Sequence, residues 1–207
     1  MKPNELFELI ENSSYVKTGN SVDYRIIVDE VDEEIRLLFQ ETTDSIDWKT
    51  NLNFPIKLFK KNNSLLFIHK GYGDTWNSCH NEIVNKFLKA KTEFPHYKTQ
   101  IAGWSYGGAM ALLAAEDIYF RSGVKVDEII TFGAPRPLFG IFTWNHFRKC
   151  AKKVYQFCLS YDFVSWLPFF YLRINTKIVD KKNAWKLWRV FNIAKYHTSY
   201  GNENYYK

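Results

Sequence analysis

The sequence predicts an α/β domain built on a mostly parallel central sheet with helices on both faces. Three observations lead there. From Ser64 onward, short apolar strand patterns alternate with helical ones, the order that parallel strands joined by helical crossovers require. The stretch from Thr99 to Leu112 reads as a buried strand, a very tight turn at Ser105 and a small-residue helix. A length of 207 residues with 46% hydrophobic content suits one domain over residues 1–207 with a sizeable core, and would leave two domains cramped. In such a sheet the carboxyl ends of the parallel strands gather on one edge, which is where a site belongs.

The elements follow in order. Residues 1–11 predict an amphipathic first helix starting at Pro3 or Asn4. Acidic residues run through its apolar positions, which a signal peptide does not carry. Tyr24–Asp29 and Glu34–Phe39 read as two strands around the charged turn Glu30–Glu33, a pair suited to a hairpin. Thr42–Asn51 has turn chemistry followed by helical spacing of Ile46 and Leu52, and Ser64–His69 is a short apolar strand. Thr75–Glu93 is a long amphipathic helix with Ile83, Val84, Phe87 and Leu88 on one side. After the Ser105 strand and helix, Val126–Phe132 is a strand ending at Gly133-Ala134-Pro135-Arg136-Pro137. A helix carrying Phe139, Phe142, Trp144 and Phe147 comes next, then a strand at Lys153–Cys158. From there to His197 aromatic and basic residues alternate. No repeat, low-complexity tract or linker interrupts the chain. No run of about 18 apolar residues suggests a membrane span.

Chemistry centres on Ser105. Gly103 and Gly107 flank it at minus two and plus two, giving G-x-S-x-G between a strand and a helix. A serine on so sharp a turn is held in strained backbone with its hydroxyl pushed out above the sheet. The helix that starts there aims N–H groups at the place where an oxyanion would form. Such a nucleophile needs a base, and the base needs an acid to fix its tautomer, in the chain order serine, acid, histidine. After Ser105 the chain has two histidines. His146 lies in the helix expected after Pro137, too early for that order, so His197 is the candidate base. Asp162 follows the strand Lys153–Cys158 and is favoured by position as the acid; Asp180, in a solvated turn, stays open. Cys79 beside His80 lacks a third orienting group and reads as a surface or half-buried helix position, and His69 reads as a structural histidine at a strand end.

Several stretches resemble a known family. Gly103-Trp104-Ser105-Tyr106-Gly107-Gly108-Ala109 resembles the G-H-S-L-G-G-A of the class 3 lipase (fungal lipase-like) family, in the α/β-hydrolase superfamily. Thr131 to Arg136 matches its T-F-G-x-P-R block, and Asp162 to Pro168 resembles its D-x-V-x-x-L-P block. His197-x-x-Tyr200 resembles its terminal His block. Upstream, Phe39-Gln40-Glu41-Thr42 stands where the family has F-R-G-T/S, Asp47 to Leu52 matches D-W-x-x-N/D-L, and His69-Lys70-Gly71-Tyr72 resembles H-x-G-F. The resemblance implies an α/β-hydrolase fold and a carboxylic-ester hydrolase of lipase or phospholipase type. It makes Ser105 the nucleophile, Asp162 the acid and His197 the base. It also implies an oxyanion hole from the backbone N–H groups of Tyr106 and Thr42, with the Thr42 hydroxyl assisting, and a lid at about 43–64. The substrate it implies is an acyl lipid, with no metal or cofactor required. The chain differs from the pattern at Gln40-Glu41, where Arg-Gly is usual, and at Trp104 and Tyr106, where His and Leu are usual. A carboxylate at Glu41 beside an oxyanion site is unwelcome unless it points away. This motivates a second reading, a catalytically weak lipid- or membrane-binding module on the same fold. A serine peptidase or thioesterase using the same triad is a third.

Charge adds an expectation about partners. Residues 146–207 hold 12 Lys/Arg against 3 Asp/Glu, while residues 1–145 hold 16 against 19. A basic C-terminal third suits peripheral contact with an anionic membrane surface, or is simply a solvated face. Trp166 to Leu172 forms an apolar rim just after the candidate acid, and Trp185 to Phe191 mixes basic and aromatic residues before the candidate base; together they look like an interfacial surface. The same mix could stack single-stranded nucleic acid, but no motif supports a nucleic-acid partner and none is expected. Three cysteines, without metal spacing, give no disulfide framework. Reduced thiols, in the cytoplasm or at a membrane periphery, are the expectation.

Overall fold

A computed structural model of the chain describes residues 1–18, 22–40, 56–61, 64–139, 143–160, 162–168, 175–179 and 197–206. Helix α1 (Pro3–Asn12) has Pro3 in its first turn, where a missing N–H costs nothing, and Glu5 reaches back to the Lys2 N–H at 2.9 Å. Strands β1 (Val16–Lys17), β2 (Asp23–Asp29) and β3 (Glu34–Phe39) follow. The expected hairpin is present: β2 and β3 pair antiparallel, from Tyr24 opposite Phe39 to Asp29 opposite Glu34. Then come β4 (Ile56–Lys61), β5 (Ser64–His69), helix α2 (Lys70–Glu93), β6 (Lys98–Trp104), helix α3 (Tyr106–Ser122) and β7 (Val126–Phe132). The chain continues through β8 (Leu138–Phe139), helix α4 (Thr143–Cys150), β9 (Ala151–Cys158) and β10 (Thr176–Ile178).

Among the described residues, seven strands form the main sheet in the order β1-β2-β3-β6-β7-β9-β10. The four pairings from β3 through β10 are parallel, and the two at the β1 edge are antiparallel. Alternation along the strands divides two cores. Ile35, Leu37 and Phe39 of β3, with Ile101 of β6 and Ile129 of β7, face helices α2, α3 and α4. Leu38, Ala102, Trp104, Ile130 and Phe132 face the other way, onto Leu6, Phe7 and Ile10 of α1 and onto Tyr200. Helices therefore cover both faces, as the sequence predicts. No helix among the described residues is long and apolar enough to cross a membrane.

Three expectations need correcting. Ser64–His69 is a strand but lies outside the parallel sheet: β4, β5 and β8 form their own antiparallel sheet. A short apolar run looks the same in either setting. Phe139 is not helical; it pairs with Phe67 across β8 and β5, and the helix begins at Thr143. Helix α2 begins at Lys70 rather than Thr75, because the His69 imidazole caps it by accepting the Gly71 N–H at 3.2 Å. Phe142, the Thr42–Asn51 stretch and most of the expected lid lie outside the described residues; of the lid, residues 56–61 form β4.

The turn between β6 and α3 leaves no space for side chains at its flanking glycines. Ser105 has φ 54° and ψ −126°, strained for a residue with a side chain. Its N–H donates to Phe132 O and its carbonyl accepts from Gly108 N–H, both at 2.9 Å. A β-carbon on Gly103 would stand 2.2 Å from Gly107 O, and one on Gly107 would stand 2.5 Å from Phe39 O and 2.7 Å from Gln40 O. Strand, helix and the exit of β3 thus touch through bare backbone. Gly107→Ala is expected to lose at least about 1–3 kcal/mol, since no flexible side chain can move aside. Urea unfolding monitored by circular dichroism measures this, and an unchanged midpoint would show that the three elements can separate without cost.

Candidate active site

Ser105 follows β6, Asp162 lies beyond β9 and His197 opens the last described segment; the Ser105 N–H bonds to Phe132 O, and Gly133 next to it lies against Asp162 and His197, which gathers the three at the carboxyl edge of the parallel strands. Asp162 caps the 3₁₀ turn Phe163–Trp166, its Oδ1 accepting the Val164 N–H at 3.1 Å. That fixes the carboxylate just beyond β9 and buries it completely. His197 Nδ1 stands 3.0 Å from both carboxylate oxygens, and the Tyr200 hydroxyl donates to Oδ2 at 2.6 Å. A buried carboxylate needs such donors, because leaving one uncompensated is strongly destabilising. With Nδ1–H donating to Asp162, the basic nitrogen of His197 is Nε2. It is buried and makes no hydrogen bond among the described residues. Ser105 is 4% exposed, so the cluster is shielded from bulk water.

Neighbouring backbone sets the geometry. Gly133, directly after β7, has φ 55°. A β-carbon there would meet Asp162 Oδ2 at 2.5 Å, the Tyr200 ring at 2.9 Å and the His197 ring at 3.1 Å. Glycine serves twice at this position, for its positive φ and for its absent side chain. Gly133 N–H donates to Phe157 O at 2.9 Å, tying the turn to β9. Behind the pair, Tyr200 OH also accepts the Leu159 N–H at 3.0 Å. Phe7 of α1 packs edge-on against Trp104 and Phe132, with ring centroids 5.4 Å apart, and lies 5.8 Å from Tyr200. The first helix therefore braces both the serine turn and the Tyr200 support of Asp162.

Of the other expected residues, Tyr106 opens α3, so its N–H lies at the positive end of that helix. Its ring packs 5.4 Å from Tyr72. Thr42 and Asp180 lie outside the described residues. Gly107 presses on the carbonyls of Phe39 and Gln40, so the exit of β3 lies against the first turn of α3. His146 points elsewhere, with Nε2 3.2 Å from Glu116 Oε1 and its ring stacked on Phe120. Burial pushes the Cys79 thiol up to about 12, which suits a packed residue and not a nucleophile. His80 Nδ1 lies 2.7 Å from the buried Asp117 Oδ2. His69 is fully buried as the cap of α2, and desolvation lowers its pKa. Sequence reasoning missed the part played by Tyr200. Its place three residues after His197 was visible, but nothing local says where its hydroxyl points.

A strained serine between a parallel strand and a helix, with a buried Asp–His pair at the same sheet edge, defines an α/β-hydrolase. Within that class the chain belongs to the class 3 lipase family: residues 36–172 match the family described as lipase (class 3). It is 29% identical over 136 residues to a lipase of Rhizomucor miehei, which covers 63% of this chain and 37% of that protein. It is 29% identical over 126 residues to the secreted mono- and diacylglycerol lipase 1 of Fusarium solani, 59% of this chain and 36% of that one. The chain thus spans little more than a third of the length of these curated relatives. Among solved structures it is similar to the native Rhizomucor miehei lipase propeptide complex, with TM-score 0.69 and 24% identity over 81% of this chain and 56% of that chain. It is also similar to a triacylglycerol lipase whose catalytic centre is a serine protease triad, with TM-score 0.70 and 24% identity over 84% of this chain and 69% of that one. These likenesses establish the fold.

Burial first, and then the Asp162 carboxylate, push the Tyr200 hydroxyl well above its usual 10.0, so the folded protein keeps the proton this donor needs. A raised value in the folded state means that this stabilisation is complete below pH 10 and declines as the pH rises beyond it. Tyr200→Phe strands the Leu159 N–H and removes one donor from Asp162. It is expected to cost about 1–3 kcal/mol at neutral pH, with a shallower decline above pH 10 than the parent. Urea titrations at pH 7, 10 and 11 check both parts, and parallel pH curves would refute the assignment.

Proposed function

We propose that the chain is a serine carboxylic-ester hydrolase acting on acyl lipids. The observation that carries this reading is the His197–Asp162 bond at the same sheet edge as the strained Ser105 turn, in a chain of the class 3 lipase family. His197 Nε2 takes the Ser105 proton as Oγ attacks the ester carbonyl. The N–H of Tyr106 stabilises the oxyanion, and Thr42 supplies the second donor. The tetrahedral intermediate collapses as His197 passes its proton to the leaving alcohol. Water, activated by the same imidazole, then releases the fatty acid from the acyl-enzyme. Asp162 orients the imidazole and stabilises its charged form. Support for a lipid substrate comes from relatives named as a lipase and as a mono- and diacylglycerol lipase. A movable lid within about 43–64 and contact with an anionic bilayer belong to the same proposal.

Ser105→Ala is expected to lower kcat on a short-chain nitrophenyl ester by roughly 10⁵-fold or more while leaving the circular dichroism spectrum unchanged. Retained turnover in that variant overturns the assignment. A fluorophosphonate probe should label the parent stoichiometrically at Ser105; no labelling together with intact liposome binding would instead favour the membrane-binding module that Glu41 suggests.

Product analysis over triacylglycerol, monoacylglycerol, phospholipid and galactolipid vesicles identifies the substrate. Release of fatty acid from at least one of them, absent in Ser105→Ala, is the expected outcome; release from none removes the lipid assignment.

A further inference from the structure

Trp104 stands immediately before the serine, and its side chain does more than fill space. The indole Nε1–H donates to the main-chain carbonyl of His197 at 3.0 Å, a fully buried hydrogen bond across 93 residues. The indole ring also lies beside the imidazole, with centroids 5.7 Å apart and planes tilted by 35°. We infer that Trp104 is a positioning residue for the proposed reaction: its N–H, by holding the His197 carbonyl, sets where the imidazole stands relative to Ser105. The inference rests on the proposed function, since it concerns a residue acting through the base.

Three features support it. First, Trp104 is buried and held from several sides. It sits in β6 between two parallel neighbours, its own register partner being Phe132, and Phe7 packs edge-on against its ring. Second, Asp162 fixes His197 only through Nδ1. A ring held at one nitrogen can still swing its other nitrogen. Fixing the main chain of the same residue removes that freedom and leaves Nε2 one location. Third, the anchor is bonded directly to the nucleophile. The peptide link from Trp104 to Ser105 and the hydrogen bond from Trp104 to His197 make one short connection between the two groups that must exchange a proton. Packing alone needs no N–H here, since Phe or Leu fills an apolar site without a buried donor to satisfy. The lipase-family block has histidine at this position, so the device differs from that pattern.

The test removes the N–H. Trp104→Phe is one form, which also exchanges the bicyclic indole for a smaller ring. Replacing Trp104 by benzothienylalanine, in which sulfur stands for the indole N–H, is the isosteric form. Each is expected to lower kcat on a short-chain nitrophenyl ester about tenfold with KM changed by less than about twofold. Fluorophosphonate labelling of Ser105 should slow by a similar factor yet still reach completion. The low-field proton signal of the His197–Asp162 bond should broaden while the urea midpoint of the isosteric form stays near the parent's. If the isosteric form keeps the parent's kcat and labelling rate, Trp104 is packing alone and the inference falls. If Trp104→Phe does not fold, the isosteric form decides. A parent protein that neither labels nor turns over ester removes the hydrolase reading itself, and this inference with it.

Discussion

Backbone contact without side chains, at the passage from β6 to α3, is the constraint on which the rest of this structure depends. Gly103 and Gly107 meet there with no space for a β-carbon, and Gly107 also presses on the last carbonyls of β3. A helix can return this closely onto its own strand only if the residue between them takes an unfavourable backbone conformation, and Ser105 does so. That local cost is sustained by what surrounds it: two parallel strands beside β6, a core of α2, α3 and α4 on one face, and α1 on the other. The strain is also useful, since it fixes a hydroxyl-bearing residue at the edge where the strands end.

Asp162 answers the same need by different means. Its carboxylate is fully buried, and donors from a local 3₁₀ turn, from His197 and from Tyr200 converge on it. Gly133 leaves the opening through which these groups meet. Tyr200 in turn leans on Phe7, which also touches Trp104. Aromatic packing is therefore structural at this place. One phenylalanine of the first helix steadies the residue before the serine and the residue that supports the acid.

Much of this was legible in the sequence because it rests on local rules. The serine turn announces itself through glycine spacing between two apolar patterns. Tyr24–Asp29, Glu34–Phe39 and Val126–Phe132 carry strand patterns that the sheet reproduces to within a residue. The place of Asp162 after a strand and the late place of His197 mark them as candidates. What local sequence does not carry depends on partners far away in the chain. The run at Ser64–His69 is equally apolar in a parallel or an antiparallel sheet, and only its partners β4 and β8 decide. Phe139 fits a helical aromatic spacing but is taken by Phe67. The start of α2 was hidden because its cap is an imidazole and not a serine, threonine or aspartate. The hydrogen bonds of Trp104 and Tyr200 belong to tertiary structure, and periodicity carries no trace of them.

The contact of Phe7 with Tyr200 has a bearing on the order in which the molecule assembles. Helix α3 and its strand can form early, from residues close together in the chain. The bracing of Tyr200 spans nearly the whole sequence, since Phe7 and the last turns meet across the sheet. Closing so long a loop costs more entropy than closing a short one, and contacts of such long range slow folding. The first helix is thus the support of this cluster that local structure alone does not supply.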